Sequence, residues 1–355
     1  MGTSVTMVSI LTVLICVAFV HADPGGDAIA PPSFTINLDL PEEQRWVEVV
    51  TKYKQLVPDI YDIMKKFLPD PKISIPIIQK IAAGIDDYLS APYAGEMRGI
   101  ATALNISVGD VVLCNLLYDI SAFCTSIVMQ DVNGLIWHAR NLDYGFTDIL
   151  RNITIRVDFQ KGGKTVYSGI TYAGYVGLVT GQRPNVFTLT MDERDQGAWW
   201  MNILIGIVDR RASPVSFLLR DTLASSQNFS AAVNKIAYTT TEASFYTIMG
   251  GTQKGEGIVI TKGRLGPVDL WKIDADSGRW FNVETNYDHW VPPPADDDRR
   301  DPAIKAMNAM GQSNISKDAL FNVMSTPPVM NKDTTYTVVM SAAQPDIMQA
   351  WIRYP

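Results

Sequence analysis

Near residue 124 the hydrophobic pattern of the chain changes period, and this switch limits what the chain can fold into. Before it, Trp46, Val49, Val50, Tyr53, Leu56, Val57, Ile60 and Ile63 recur at helical spacing, as do Ile77, Ile78, Ile81, Ile85, Tyr88 and Leu89. Pro69-Asp70-Pro71 separates these two stretches, and Asn105 to Ala122 supplies a third apolar helix. After it, Thr125–Gln130, Leu135–Arg140, Ile153–Phe159, Thr165–Ile170, Tyr175–Thr180 and Val186–Met191 alternate with the period of a half-buried strand. Further strands at Gly257–Thr261, Val268–Ile273, Trp280–Val283 and Thr335–Met340 follow. They are interleaved with helices at Trp199–Arg211, Pro214–Ser225, Ser230–Ala237, Ala303–Met310 and Lys317–Met324. Runs of strands and runs of helices specify a layered α+β fold, not repeating βαβ units.

Composition removes several functions. With 30 basic against 37 acidic side chains, the net charge of −7 supplies no basic surface for a nucleic-acid partner. Three histidines and three cysteines, without CxxC or HExxH, give no metal site. The glycine-rich Gly250 to Gly257 lacks the Gly-Lys-Ser/Thr ending of a phosphate loop and reads as a turn, so no cofactor is implied.

The N-terminus points to export. Residues 1–22 carry no charge, hold an apolar run from Val8 to Val20 and end in Val20-His21-Ala22, the shape of a cleaved signal peptide. Four sequons, at Asn105, Asn152, Asn228 and Asn314, agree with a glycosylated protein of the secretory pathway. Loss of the leader leaves Cys114 and Cys124, too few for a disulfide framework. Those two thiols either pair with each other or leave Cys124 reactive.

The chemistry concentrates where the period changes. Asn133-Gly134 between apolar strands signals a two-residue hairpin turn. With that turn centre, Ser126 pairs with Asn141 and Cys124 with Asp143, setting a thiol opposite a carboxylate while Arg140 falls on the other face. His138 reads as a strand residue that packs or faces solvent. A thiol base is then an α-amine, which Cys124 gains if the bond from Phe123 is cut.

Five ordered segments carry a family resemblance: Phe123 to Val128, Arg140-Asn141-Leu142-Asp143-Tyr144, Asp192 to Asp195, Glu284 to Trp290 and Asp297 to Arg300. Together with Pro92 to Gly99, they resemble the N-terminal nucleophile hydrolases formed by the acid ceramidases and the N-acylethanolamine-hydrolysing acid amidases. The resemblance implies an αββα sandwich and acid autoproteolysis between Phe123 and Cys124. A helical alpha subunit, residues 23–123, would then pair as a heterodimer with a catalytic beta subunit, residues 124–355. It also implies Cys124 as nucleophile, Asp143 orienting its freed amine, Arg140 holding the carboxylates and Asn286 donating to the oxyanion. Glu193 and Arg299 would support the site and its maturation.

The substrate implied is a fatty amide lipid, an N-acylethanolamine such as palmitoylethanolamide, with ceramide the alternative. The short link after Asp143 and the Asp192 to Trp200 stretch favour the amidase branch. A lysosomal location, with secretion besides, is expected. So is peripheral contact with an anionic lipid membrane through helices around Val47 to Leu68 and Ile77 to Leu89. A bile-salt or penicillin-type amidase, an acyltransferase and a non-catalytic lipid carrier are the other readings.

Overall fold

Alternating side chains on either side of Gly134 build the hairpin at the centre of the molecule, β3 (Ala122–Gln130) and β4 (Ile136–Tyr144). The computed structural model describes residues 28–57, 59, 60, 63, 71–84, 89, 91–117, 122–194 and 212–354. The expected leader, residues 1–22, and the expected helix Trp199–Arg211 lie outside these residues. Ahead of the hairpin come β1 (Ala28–Ile29), β2 (Ser33–Asn37), α1 (Val47–Lys52), α2 (Pro71–Ala83), α3 (Tyr93–Leu104) and α4 (Val108–Leu117). After it come α5 (Thr147–Ile153), β5 (Thr154–Lys161), β6 (Lys164–Tyr172), β7 (Thr180–Arg183), β8 (Phe187–Glu193), α6 (Val215–Ser225) and α7 (Phe229–Tyr238). The chain ends with β9 (Phe245–Gly250), β10 (Gly257–Lys262), β11 (Pro267–Lys272), β12 (Phe281–Glu284), α8 (Arg300–Met310), α9 (Lys317–Met324), β13 (Thr334–Met340) and β14 (Gln349–Arg353).

The strands form two sheets. One has the order β1-β14-β13-β4-β3-β12 and the other β11-β10-β9-β8-β7-β6-β5-β2. Ile127, Met129 and Ala139 on the outer face of the first pack against Met307 of α8 and Leu320 of α9. The second buries Val157, Leu189 and Ile258 against α6, α7 and α3 through Leu219, Ile236 and Ile100. Val128, Ile136, Tyr246 and Val259 fill the space between the sheets, which completes four layers in the order αββα.

Four sequence expectations change. Residues 23–123 are not purely helical, because β1 pairs antiparallel with β14 and β2 runs parallel to β5, with Phe34 opposite Val157 and Ile36 opposite Phe159. Each piece is too short to show a period, and each covers a sheet edge. The helix expected from Val47 to Leu68 is interrupted at its start, where α1 gives way to a tighter turn over Lys54–Leu56. β9 was hidden because all six of its residues are buried, and a strand covered on both faces need not alternate. The alternation at Tyr175–Thr180 marks the approach to β7 and not the strand itself. The glycine-rich Gly250 to Gly257 is the β9–β10 turn, where the Glu256 carboxylate accepts the N–H groups of Thr252 and Gln253.

The two sides of residue 124 are joined by a buried ion cluster. Glu96 of α3 accepts from Nη1 and Nη2 of Arg220 on α6 at 2.5 and 2.8 Å. It also accepts from Trp46 Nε1 at 2.8 Å and Arg45 Nη1 at 3.2 Å. Tyr93 stacks on Phe217 beside it, ring centroids 3.9 Å apart. Gly99 lets α3 approach this closely, since a Cβ there would meet the Glu43 carbonyl oxygen at 2.0 Å.

Candidate active site

The hairpin turn determines which side chains meet. Asp131 accepts from the N–H groups of Asn133 and Leu135, and Gly134 takes a φ of +88°. The turn is longer than the two-residue form, and the register moves by one. Cys124 therefore pairs with Leu142, Ser126 with Arg140 and Phe123 with Asp143. A one-residue shift exchanges the faces of one strand against the other, so Arg140, expected on the far side, joins Cys124 between the sheets. Asp143 leaves the position opposite the thiol.

Cys124 is fully buried and held at each of its polar groups. Its N–H donates to Asn286 Oδ1 at 2.8 Å, and its carbonyl accepts from Arg299 Nη1 at 2.5 Å. Its Sγ receives Arg140 Nη2 at 2.9 Å and lies 3.8 Å from the carbonyl oxygen of Met191. Burial drives the thiol pKa far up; Arg140 pulls it down, while Asp192 and Asp143 add to the rise. In the intact chain the sulfur is therefore a thiol, and the Cys124 nitrogen is an amide that cannot take its proton. Cys114 and Cys124 are both free, so they do not pair.

Arg140 does not hold Asp143. Its Nη1 donates to the Val179 carbonyl and to Thr180 Oγ1, and its remaining reach goes to the sulfur. Arg299 takes the carboxylate instead, 3.8 Å from Asp143 Oδ2, which also accepts from Asn331 Nδ2 at 2.9 Å. Burial raises the Asp143 carboxyl to about 6 against the pull of Arg299, Thr334 and Asn331. Arg299 is itself fixed by Asp297 at 2.7 Å and bonds Asn286 Oδ1 at 2.8 Å, so one guanidinium ties Asn286, Cys124 and Asp143 together.

Asn286 Nδ2 donates to the Glu193 carbonyl oxygen at 2.8 Å. Glu193 thus enters the site through its backbone. Its side chain lies on the strand face opposite that of Asp192, which is wholly buried and accepts from Ser126 Oγ at 2.8 Å. Sequence reasoning missed Asp192 as a site residue, although Thr188, Thr190 and Asp192 form the polar half of the β8 alternation. Asn331 carried no signal, being a loop residue far along the chain. His138 is buried between Thr188 and Thr190, with burial holding its pKa down to about 3, so it is a neutral core residue.

A cavity of about 370 Å³ opens beside the Phe123–Cys124 bond, lined by Phe123, Arg194, Tyr246, Asn286, Tyr287 and Asp288 among others. Phe123 is 52% exposed at its edge. Among the described residues no group of histidine, cysteine or carboxylate side chains is arranged to hold a metal ion.

A family model for linear amide C–N hydrolases of the choloylglycine hydrolase family matches residues 124–314, beginning at the cysteine just described. The chain belongs to this family. A second model, described as the beta subunit of N-acylethanolamine-hydrolyzing acid amidase, matches residues 29–89. That description gives the name beta subunit to residues expected to form an alpha subunit; the residues before and after the Phe123–Cys124 bond are the N- and C-terminal fragments. The chain is 48% identical to N-acylethanolamine-hydrolyzing acid amidase of Cavia porcellus over 326 residues, 91% of each. It is 36% identical to acid ceramidase of Homo sapiens over 334 residues, 89% of this chain and 84% of that one. A solved structure of the Caenorhabditis elegans N-acylethanolamine-hydrolyzing acid amidase ortholog superposes with a TM-score of 0.60 at 39% identity. It covers 64% of this chain and 99% of that one. The chain is an amide hydrolase with the N-terminal nucleophile fold.

Proposed function

We propose that this chain is a cysteine amidase that hydrolyses N-acylethanolamines, palmitoylethanolamide among them, to fatty acid and ethanolamine after the Phe123–Cys124 bond is cut. The observation that carries the reading is Cys124 itself, whose sulfur meets Arg140 at 2.9 Å and whose nitrogen is already held by Asn286. Cutting the bond turns that nitrogen into an amine, the base the buried thiol lacks. The thiolate then attacks the amide carbonyl, with the oxyanion taken by the Asn286 amide. Collapse gives a thioester, the Cys124 ammonium returns its proton to the departing amine, and water completes the hydrolysis. Arg299 and Asp143 keep the new N-terminus in place.

The greater identity to the amidase than to the ceramidase supports this substrate over ceramide. The four sequon asparagines, Asn105, Asn152, Asn228 and Asn314, are all exposed, which suits a glycosylated enzyme of the lysosomal lumen. Val47 at 37% and Ile75 at 44% exposure give α1 and α2 apolar contacts for an anionic membrane, whose repulsion of the chain falls as pH approaches the sequence pI of about 5.0.

The test is incubation at pH 4.5 followed by N-terminal sequencing, then kcat/KM for palmitoylethanolamide and for ceramide in one detergent. A fragment starting at Cys124 and a higher value for palmitoylethanolamide are expected. A fully active intact chain would refute the mechanism, and a reversed preference would make the enzyme a ceramidase.

A further inference from the structure

Asp192 stands beside the nucleophile without a part in the chemistry above. It comes from the inner face of β8, between Met191, whose carbonyl approaches the thiol, and Glu193, whose carbonyl holds Asn286. Its Oδ1 accepts the Ser126 hydroxyl at 2.8 Å. Ser126 is in turn 3.0 Å from Thr190 Oγ1, and Thr190 Oγ1 is 3.0 Å from His138 Nε2. This chain of buried polar groups ends at the carboxyl of Asp192, next along β8 to the Met191 carbonyl that lies 3.8 Å from the Cys124 sulfur. Asp192 Oδ2 is buried with no hydrogen-bond partner among the described residues. An ionised carboxylate left so is poorly solvated, whereas a carboxylic acid has an O–H to give.

The charged and titratable groups acting on Asp192 come from every neighbouring element. They are Cys124 of β3, Arg140 of β4, Glu284 of β12, Tyr336 of β13 and Arg299 ahead of α8. Glu284, paired with Ser126 across the sheet, is a second buried carboxyl, held well above its usual range by burial. Arg140 and Arg299 act on Asp192, Arg299 also on Asp143 and Arg300 on Glu284, so three buried carboxyls and one sulfur share these cations. When the sulfur becomes anionic, one carboxyl fewer should be ionised.

We propose that Asp192 serves the reaction in its protonated form, as a positioning residue that gives its O–H toward the Cys124 sulfur and leaves Arg140 to stabilise the thiolate. The inference rests on the reading of Cys124 as nucleophile. Ionised, the same carboxyl places negative charge against the sulfur and competes for Arg140. Burial raises Asp192 to about 7, against Arg140 and Ser126, so the exchange falls at near-neutral pH. The sign follows: activity is present below that pH and is lost as pH rises through it.

The experiment uses the processed enzyme, with its Cys124 N-terminus confirmed, and compares pH profiles of kcat/KM and of iodoacetamide alkylation for wild type, Asp192→Asn and Ser126→Ala. Wild-type activity should fall about tenfold per pH unit above about 7. Asn keeps an N–H donor and cannot ionise, so Asp192→Asn should hold its pH 8 activity within about threefold of its pH 5 value, with KM little changed. Ser126→Ala removes a donor that favours the carboxylate, and its alkaline limb should move up by about 1–2 pH units. If either variant keeps the wild-type limb, the proposal is overturned, whatever the other shows. A wild type that turns over amide and dies on alkylation, beside variants of unmoved profile, refutes Asp192 alone. A wild type without turnover refutes the amidase reading instead.

Discussion

Glu96→Gln tests what holds the two fragments together. Each Glu96 oxygen serves two donors: Oε1 takes Arg220 Nη2 and Arg45 Nη1, and Oε2 takes Arg220 Nη1 and Trp46 Nε1. Glutamine keeps one acceptor oxygen and turns the other into an NH₂, so two donors then face a donor. The Arg220 guanidinium, with 2% of its side chain exposed, also loses its counter-charge. Removing one partner of a buried pair costs about 3–5 kcal/mol. In the uncut chain that loss appears as lower stability. In the processed enzyme, where Glu96 and Arg220 belong to different fragments, it weakens fragment association by about 150- to 5,000-fold. Dilution followed by size-exclusion chromatography measures the association, and urea unfolding of the same substitution in a Cys124→Ala background, which stays one chain, measures the stability. If dissociation is unchanged and the two stabilities agree within about 0.5 kcal/mol, the cluster is not the tie described here.

Arg140→Met removes the guanidinium from the sulfur at similar side-chain length. One charge-assisted contact of about 1.5–3 kcal/mol predicts a roughly 10- to 150-fold loss in amide turnover and in alkylation of Cys124 alike, and a loss in turnover alone would place Arg140 on the substrate. Stability should also depend on pH. Asp143 and Asp192, raised by burial to about 6 and about 7, keep protons that the unfolded chain has released above about pH 4. Their contribution is complete below pH 4 and is lost as pH rises toward 7, by on the order of a few kcal/mol. Calorimetry should give a lower Tm at pH 7.5 than at pH 5, and a higher one would contradict the buried carboxyls.

The period switch at residue 124 was legible because it is long and local. Helices α6, α7, α8 and α9 and most strands followed from the same patterns. The register of β3 and β4 was not, because Asn133-Gly134 reads as a two-residue turn until the Asp131 side chain is seen capping a longer one. That single residue decides whether Arg140 or Asp143 faces the sulfur. Arg299 and Asn286 were found only through a family motif, since each lies in a polar stretch resembling solvated loop. Asp192 and Ser126 lay inside motifs already noticed, yet nothing local says that β8 would stack over β3. β1, β2 and β14 escaped because short edge strands take their stability from the neighbour they join.

The parallel pairing of β2 with β5 also sets an order of events in time. Ser33 must find Arg156 across more than a hundred intervening residues, a search that the covalent link keeps unimolecular. Once the bond before Cys124 is gone, the same pairing becomes an encounter between two molecules. A cut made by a site that exists only after the sheets have formed cannot come too early. The link acts as scaffolding: it is needed while the molecule is assembled and dispensable afterwards. A mature enzyme denatured beyond this point should not regain its sheets by itself at high dilution.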